Sequence, residues 1–282
     1  MSKTNSLAAA SIAPAISTHA AQASRSMKNG VSIASTVQPT APLRAGLSIK
    51  RVSFTVLGVA ALLGVLVGWV GPATIQHYHA ELLFDLRAHL TLVGWSMLAA
   101  LLVGVPSGIL LSRPAFVRYA EKLMQIFNVG NTVPSLAVLV LALAALGIGS
   151  GPAILALALA SVLPITRNTY EGLRQVPMSL REAAKGLGMT RQQAFFRVEL
   201  PNALPMVMGG VRTALAINVG TAPLAFLIGA DSLGTLIFPG IYLNNQPQLL
   251  LGAIATALLA LALDAALAGL SAMLLRHKGG AT

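Results

Sequence analysis

The chain has 282 residues, of which 55% are hydrophobic and only 10% charged, and its 19 Lys and Arg outnumber 8 Asp and Glu for a net charge of +11. A soluble domain carries about 25% charged residues, so this composition, with a mean hydropathy of +0.76, excludes an ordinary water-soluble fold and makes lipid the solvent. The absence of cysteine excludes disulfides, Fe–S clusters and cysteine-type zinc sites, and 5% aromatic content with cations set among very apolar segments argues against nucleic acid as a partner.

Residues 1–50 are rich in Ala, Ser and Thr, contain no acidic residue and offer no stretch able to span a bilayer. They read as a disordered, basic cytoplasmic tail. The competing reading is a secretory signal, with Lys3 ahead of a weakly apolar Leu7–Ser17 and small residues near Thr18–Ala23. That apolar stretch is interrupted by Pro14 and rich in Ser, which is poor for its class.

A hydrocarbon core of about 30 Å needs about 20 apolar residues in a helix. Six segments approach that length: Val52–Gly71, Leu90–Leu111, about Met124–Gly147, Pro152–Tyr170, Leu204–Gly229 and Gln248–Leu275. They lack the alternation of barrel strands, and only helices and closed barrels satisfy every backbone group in lipid. The expected fold is therefore an all-α integral membrane protein of six transmembrane helices. The first of these, over 51–72, stands apart from a main membrane domain over 88–276.

Lys and Arg in short loops stay on the cytoplasmic side. With both termini cytoplasmic, all but three of the 19 fall inside. Arg167 and Arg212 then lie near the inner ends of their helices, where long side chains can snorkel, and Arg87 alone is external. The reverse orientation would strand the cations outside.

About 30 residues separate Tyr170 from the next apolar run at Leu204, far more than the usual helix–helix link of about 2–8. Within 178–201 two capping boxes occur, Ser179 with Glu182 and Thr190 with Gln193, which predicts two short helices. Gly186-Leu187-Gly188 lies between them, where a glycine can take the left-handed turn that ends the first. Pro201 is expected to stop the second, and Pro205 to open the next span. Phe195, Phe196 and Val198 form an apolar patch in a basic surround, which suggests a partner protein.

Glu182-Ala183-Ala184, Gly188 six residues after the glutamate, and Val198, Leu200 and Pro201 reproduce the EAA signature, E-A-A-x3-G-x9-(I/V)-x-L-P. The chain therefore resembles the permease subunits of binding-protein-dependent ABC importers of the type I fold. The resemblance covers about Leu90–Leu275. It implies that the loop is a coupling element seated in a groove of a cytoplasmic ABC ATPase, with Ala183 and Ala184 permitting close approach and Gly188 setting the angle. It also implies an external substrate-binding protein, a second permease subunit, identical or paralogous, and a bacterial inner-membrane location. No cofactor is expected on this chain, and ATP and Mg are expected on the ATPase.

The stretches Asn128–Ala137, Gly147-Ile-Gly149 and Pro164–Leu173 narrow the resemblance to osmoprotectant permeases, which move glycine betaine, choline or carnitine. Another small solute such as an amino acid is the alternative. The span at Val52–Gly71 and the tail before it are additions to the smaller core of that group.

Asn131, Thr132, Pro134 and Ser135 put polar groups and a helix breaker early in the third span, where a freed carbonyl would line a pathway or where the hydroxyls simply bond back to the backbone. Asp264 falls near mid-membrane. It is either part of a proton-coupled carrier, the rival class of an ion-coupled secondary transporter, or an ion-pair partner of Arg212 or Arg167 that fixes packing. The absence of a second acid or His in any expected span speaks against the carrier. A membrane scaffold or receptor is a further class, with no pathway at all.

Asp231 and Gly234–Gln246 read as an external loop that forms a gate, meets a binding protein or is plain surface. His77 and His79, an H-x-H in the first external loop, have no third ligand spaced for zinc. No hydrolase motif and no G-x-x-x-x-G-K-[ST] is present, so the chain is expected not to be an enzyme, and ATP hydrolysis to come from another chain. Trp69 and Trp95 occupy separate spans without an aromatic cluster, so quaternary-ammonium selectivity is expected in a separate binding protein.

Overall fold

The computed structural model describes residue 64, residues 68–130 and residues 133–276. The expected tail, most of the expected first span, and Asn131 and Thr132 lie outside the described residues. Those described form helices and turns with no strand among them, as expected of an all-α chain. Four helical stretches are long and apolar enough to cross a membrane: Pro72–Leu111, Ser150–Arg174, Arg191–Ile228 and Gln246–Met273.

Helix α1 spans Pro72–Leu111. Of its two prolines, Pro72 sits in the first turn, where the missing N–H costs nothing, and Pro106 lies inside the helix. At 1.5 Å per residue its 40 residues reach about 60 Å, roughly twice a hydrocarbon core. The expected first external loop is thus helical, and His77 and His79 stand on α1. Polar residues thin the hydropathy of 76–89, but no Gly or Pro interrupts it, so nothing in the backbone breaks the helix. Its buried stripe recurs at helical spacing through Asp85, His89, Leu92, Ser96, Ala100, Gly104, Gly108 and Leu111.

The expected third span is two helices, α2 at Val117–Gly130 and α3 at Ser135–Leu146. Pro134 explains the break: it lacks an N–H, and its ring disfavours helix in the residue before it. The Pro134 carbonyl is not free, since it accepts from Ala137 N at 2.8 Å and Val138 N at 3.3 Å. With 12 residues, α3 reaches about 18 Å, short of a full crossing.

Helix α4 covers Ser150–Arg174 and is the centre of the bundle, packed against α1 on one side and against α7, Leu200–Thr221, on the other. Two short helices, α5 at Met178–Gly186 and α6 at Arg191–Ala194, lie between α4 and α7. After α7 a 3₁₀ segment, Ala222–Ile228, leads to α8 at Gly234–Tyr242, so the expected external loop contains a helix. Helix α9, Gln246–Arg276, closes the described chain against α7 and α8.

The core joins Leu92, Val93, Met97 and Ala100 of α1 to Ala153, Ala156, Leu157 and Ile165 of α4 and Val211, Ala214 and Val219 of α7. Small residues let the backbones meet. A Cβ on Gly108 would lie 2.5 Å from Thr169 Cβ and 2.7 Å from the Thr166 carbonyl, and one on Gly210 would lie 2.5 Å from Asn168 Cβ. Hydrogen bonds add to this packing, as is usual between membrane helices. Fully buried Asn218 accepts from Ser96 Oγ at 3.0 Å and donates to Ser161 Oγ at 2.7 Å, tying all three helices together.

Candidate functional site

The seven motif positions fold as an elbow. Helix α5 begins two residues earlier than the Ser179 box requires. Pro177 occupies the N-cap at φ −54° and ψ 137°, and its carbonyl accepts from Leu180 and Arg181. Ser179 is therefore an exposed residue inside the first turn, and its capping box with Glu182 does not form. The second box does form: Gln193 N–H donates to Thr190 Oγ1 at 3.3 Å, and Thr190 N–H to Gln193 Oε1 at 2.9 Å. Between the helices, Gly188 is left-handed at φ +71°. Met189 N–H bonds the Ala184 carbonyl at 3.1 Å and Gly188 N–H bonds that of Lys185 at 2.9 Å, the paired bonds of a Schellman turn.

The motif alanines divide. Glu182 and Ala183 are exposed, while Ala184 is buried against its own chain, so of the two alanines only Ala183 lies on the surface. The expected aromatic patch also divides. Phe196 is exposed, whereas Phe195 turns inward onto Leu173, Val176, Ala203 and Val207. Met178, Leu180 and Leu187, which sequence reasoning passed over, present further exposed apolar surface on the elbow.

Pro201 does not stop the second helix, and Pro205 does not open the span. The path from Arg191 to Ile228 stays helical, with Pro201 in the first turn of α7 and Pro205 inside it. Pro201 cannot donate to the carbonyl four residues back. The chain widens instead into a π turn over Phe195–Glu199, with Leu200 N–H bonded to the Phe195 carbonyl. Val198 and Leu200, both half-buried, flank the end of this turn.

Three charged residues that motif reasoning did not single out fasten the elbow. Glu199 accepts from Arg113 Nη1 at 3.1 Å and lies 3.8 Å from Arg181 Nε. Arg113 also stacks over Phe195 at 4.5 Å, and Arg181 Nη2 donates to the Leu173 carbonyl at 2.6 Å. Basic residues beside a lone acid were the available signal. A cleft of about 480 Å³ lies behind this joint, between Gly172–Pro177 and Asn202–Met206.

Within the bundle Asp264 pairs with Arg212, not Arg167, through two parallel bonds: Nε to Oδ1 at 2.9 Å and Nη2 to Oδ2 at 2.7 Å. Arg167 bonds Glu171 one turn on, at 2.8 Å. Arg212 is not near a helix end. It stands about 18 Å along α7 from Leu200, and Asp264 about 18 Å along α9 from Arg276. Pro134 is exposed at the start of α3 and Ser135 half-buried beside it; neither lines the cleft beside the ion pair.

The α1 extension also carries a second acid and a His that the expected loop had hidden. Asp85 and His89, one turn apart, are 1% and 0% exposed. Thr235 faces the Asp85 carboxylate and the Val219 backbone faces the imidazole, yet neither contact reaches hydrogen-bond geometry. Among the described residues no group of three or more His, Asp or Glu is placed to hold a metal ion.

The profile of the family described as "binding-protein-dependent transport system inner membrane component" matches residues 100–277. The chain is 58% identical over 231 residues to the osmoprotectant import permease protein OsmY of Salmonella typhimurium, covering 82% of this chain and 98% of that protein. It is 40% identical over 194 residues to the choline transport system permease protein OpuBB of Bacillus subtilis, covering 69% and 88%. The glycine betaine/carnitine/choline transport system permease protein OpuCB of the same organism is 38% identical over 194 residues, with the same coverage. Among solved structures, an inward-facing MetNI methionine ABC transporter chain matches with a TM-score of 0.62 at 23% identity, over 70% of this chain and 97% of that one, a likeness in fold.

Proposed function

Because the chain belongs to the family of inner membrane components of binding-protein-dependent transport systems, we propose that it forms the path by which an ATP-driven importer moves a quaternary-amine osmoprotectant such as glycine betaine, choline or carnitine. The observation that carries this reading is the elbow, read beside the relatives' printed substrates. A Schellman turn and a capping box hold two short helices at a fixed angle, and Met178, Leu180, Leu187 and Phe196 present apolar surface away from the bundle. Exposed apolar surface rimmed by charge marks a protein partner.

In this reading the elbow faces the cytoplasm of a bacterial cell and seats on an ABC ATPase that binds ATP and Mg. A second permease subunit completes the path, and an external binding protein delivers the solute. This chain does no hydrolysis itself. Closure of the ATPase pair pushes on α5 and α6, and the Glu199 joint passes the movement to α1 and α7. The bidentate bond of Asp264 to Arg212 commits that carboxylate to a cation and leaves it poorly suited to carrying protons.

Reconstitution in liposomes with the associated ATPase and binding protein tests this. ATP inside should drive uptake of glycine betaine, and the uptake should stop when the ATPase is omitted. Uptake driven by an ion gradient without ATP, or no uptake of any quaternary amine, would overturn it.

A further inference from the structure

The Arg212–Asp264 pair does more than hold two helices together. Both side chains are about two-fifths exposed, at 42% and 41%, although each belongs to a helix apolar enough to cross a membrane. Charged groups at that depth do not face lipid; they face a water-filled cavity or protein. The pair forms one side of a cleft of about 320 Å³, whose remaining lining is Gly209, Thr213 and Ala216. These three, with Arg212, recur at helical spacing on one face of α7, and Asp264 reaches across from α9. A Cβ on Gly209 would meet nothing within 4 Å, so the cleft is open at that end.

The hydrogen bonding of the pair defines what can bind there. Arg212 spends Nε and Nη2 on Asp264, which leaves the two N–H groups of Nη1 for another acceptor. Each Asp264 oxygen already accepts a bond, so its negative charge is present without a donor being required. The Thr213 hydroxyl donates to the Gly209 carbonyl at 3.0 Å, which turns it from donor to acceptor toward the cleft. A ligand here meets a cationic donor, an anionic surface that asks for no hydrogen bond, and small residues that admit bulk.

We infer that the Arg212–Asp264 pair is a selectivity site in the transport path for zwitterions, with the ligand carboxylate on Arg212 and a fully alkylated ammonium against Asp264. A fully alkylated ammonium carries charge but cannot donate a hydrogen bond, which suits a carboxylate whose two oxygens each already accept from arginine. A zwitterion laid antiparallel over the ion pair is attracted at both ends. A simple cation is attracted at one end and repelled at the other, so the pair favours glycine betaine over choline. This inference rests on the proposed import of quaternary amines.

The test is the ratio of ATP-driven glycine betaine uptake to choline uptake by the complete reconstituted complex, with one binding protein throughout. Arg212→Gln leaves a net negative cleft, and the ratio should fall by about tenfold, while Asp264→Asn leaves a net positive one, and the ratio should rise. Opposite shifts are the signature of a site that touches the solute. A pair that only packs helices would lower both uptakes together and leave the ratio unchanged in both variants, which would overturn the inference. Where a single variant gives no measurable uptake, the double variant Arg212→Gln/Asp264→Asn, with no lone charge, decides: a lowered ratio supports the site and an unchanged one rejects it. If the unaltered complex takes up neither compound, the functional reading fails on that result alone, independently of the variants.

Discussion

Arg113, just beyond the end of α1, donates to the Glu199 carboxylate at 3.1 Å although 86 positions separate them. Through this bond the first helix of the bundle is tied to the π turn that leads out of the elbow. Glu199→Gln should keep the shape of the joint and remove its charge. Both partners are partly exposed, so folding stability should change by less than about 1 kcal/mol. The expected result is an assembled complex that hydrolyses ATP at close to the normal rate and imports less solute per ATP. Uptake and hydrolysis measured on one reconstituted sample check this, and a parallel fall in both would speak against transmission through Glu199.

Gly188 adopts φ +71° with open space where a Cβ would stand, so a side chain there is opposed by the backbone and not by neighbours. Gly188→Val should cost the elbow about 1–2 kcal/mol through the left-handed conformation and abolish transport while leaving membrane insertion intact. Gly188→Asn should be milder, because asparagine tolerates that region. Retained ATP-driven uptake in the valine variant would remove the elbow from the coupling path.

Gly108→Ala and Gly210→Ala place a methyl about where Thr169 and Asn168 already stand. Overpacking of this kind costs about 1–3 kcal/mol, read as a lowered thermal midpoint in detergent. Gly94→Ala serves as the control, since nothing lies within 4 Å of its added Cβ, and its effect should stay within about 0.5 kcal/mol.

Asp85 and His89 are buried with polar atoms that close no hydrogen bond, and each such group costs about 1–3 kcal/mol. Asp85→Leu should therefore raise the thermal midpoint. If the acid serves transport, uptake falls in the same variant, the exchange expected where a site is kept at the expense of stability. A lowered midpoint would instead show that Asp85 finds a partner in the membrane.

The elbow was readable because its chemistry is local. The Thr190 and Gln193 box, the left-handed Gly188 and the fixed motif spacing each depend on neighbours within a few residues, and the structure keeps all three. The Ser179 box failed for an equally local reason, Pro177 having started α5 two residues earlier. Pro201 misled because its cost can be relieved by widening a helix as well as by ending one, and here the helix widens over Phe195–Glu199. Hydropathy gave the start of α1 wrongly and its end at Leu111 correctly, since it measures affinity for lipid, whereas the helix extends back to Pro72 because no Gly or Pro lies between Pro72 and Leu90. The Arg212–Asp264 pair was foreseen as one of two pairings for Asp264, but its exposure and its cleft belong to three-dimensional placement.

The near contact of backbones at Gly104, Gly108, Gly172 and Gly210 bears on how force travels. With Ile165 and Thr169 filling the space beside the α1 glycines, and Met206 and Asn168 the space beside the others, α1, α4 and α7 cannot slide along one another without collision. In the proposed coupling, a push on the elbow would therefore reach the membrane as the tilt of a solid lever whose arm is fixed by the distance from Glu199 to Arg212. The helix to which the Glu199 joint would pass that movement also carries Arg212.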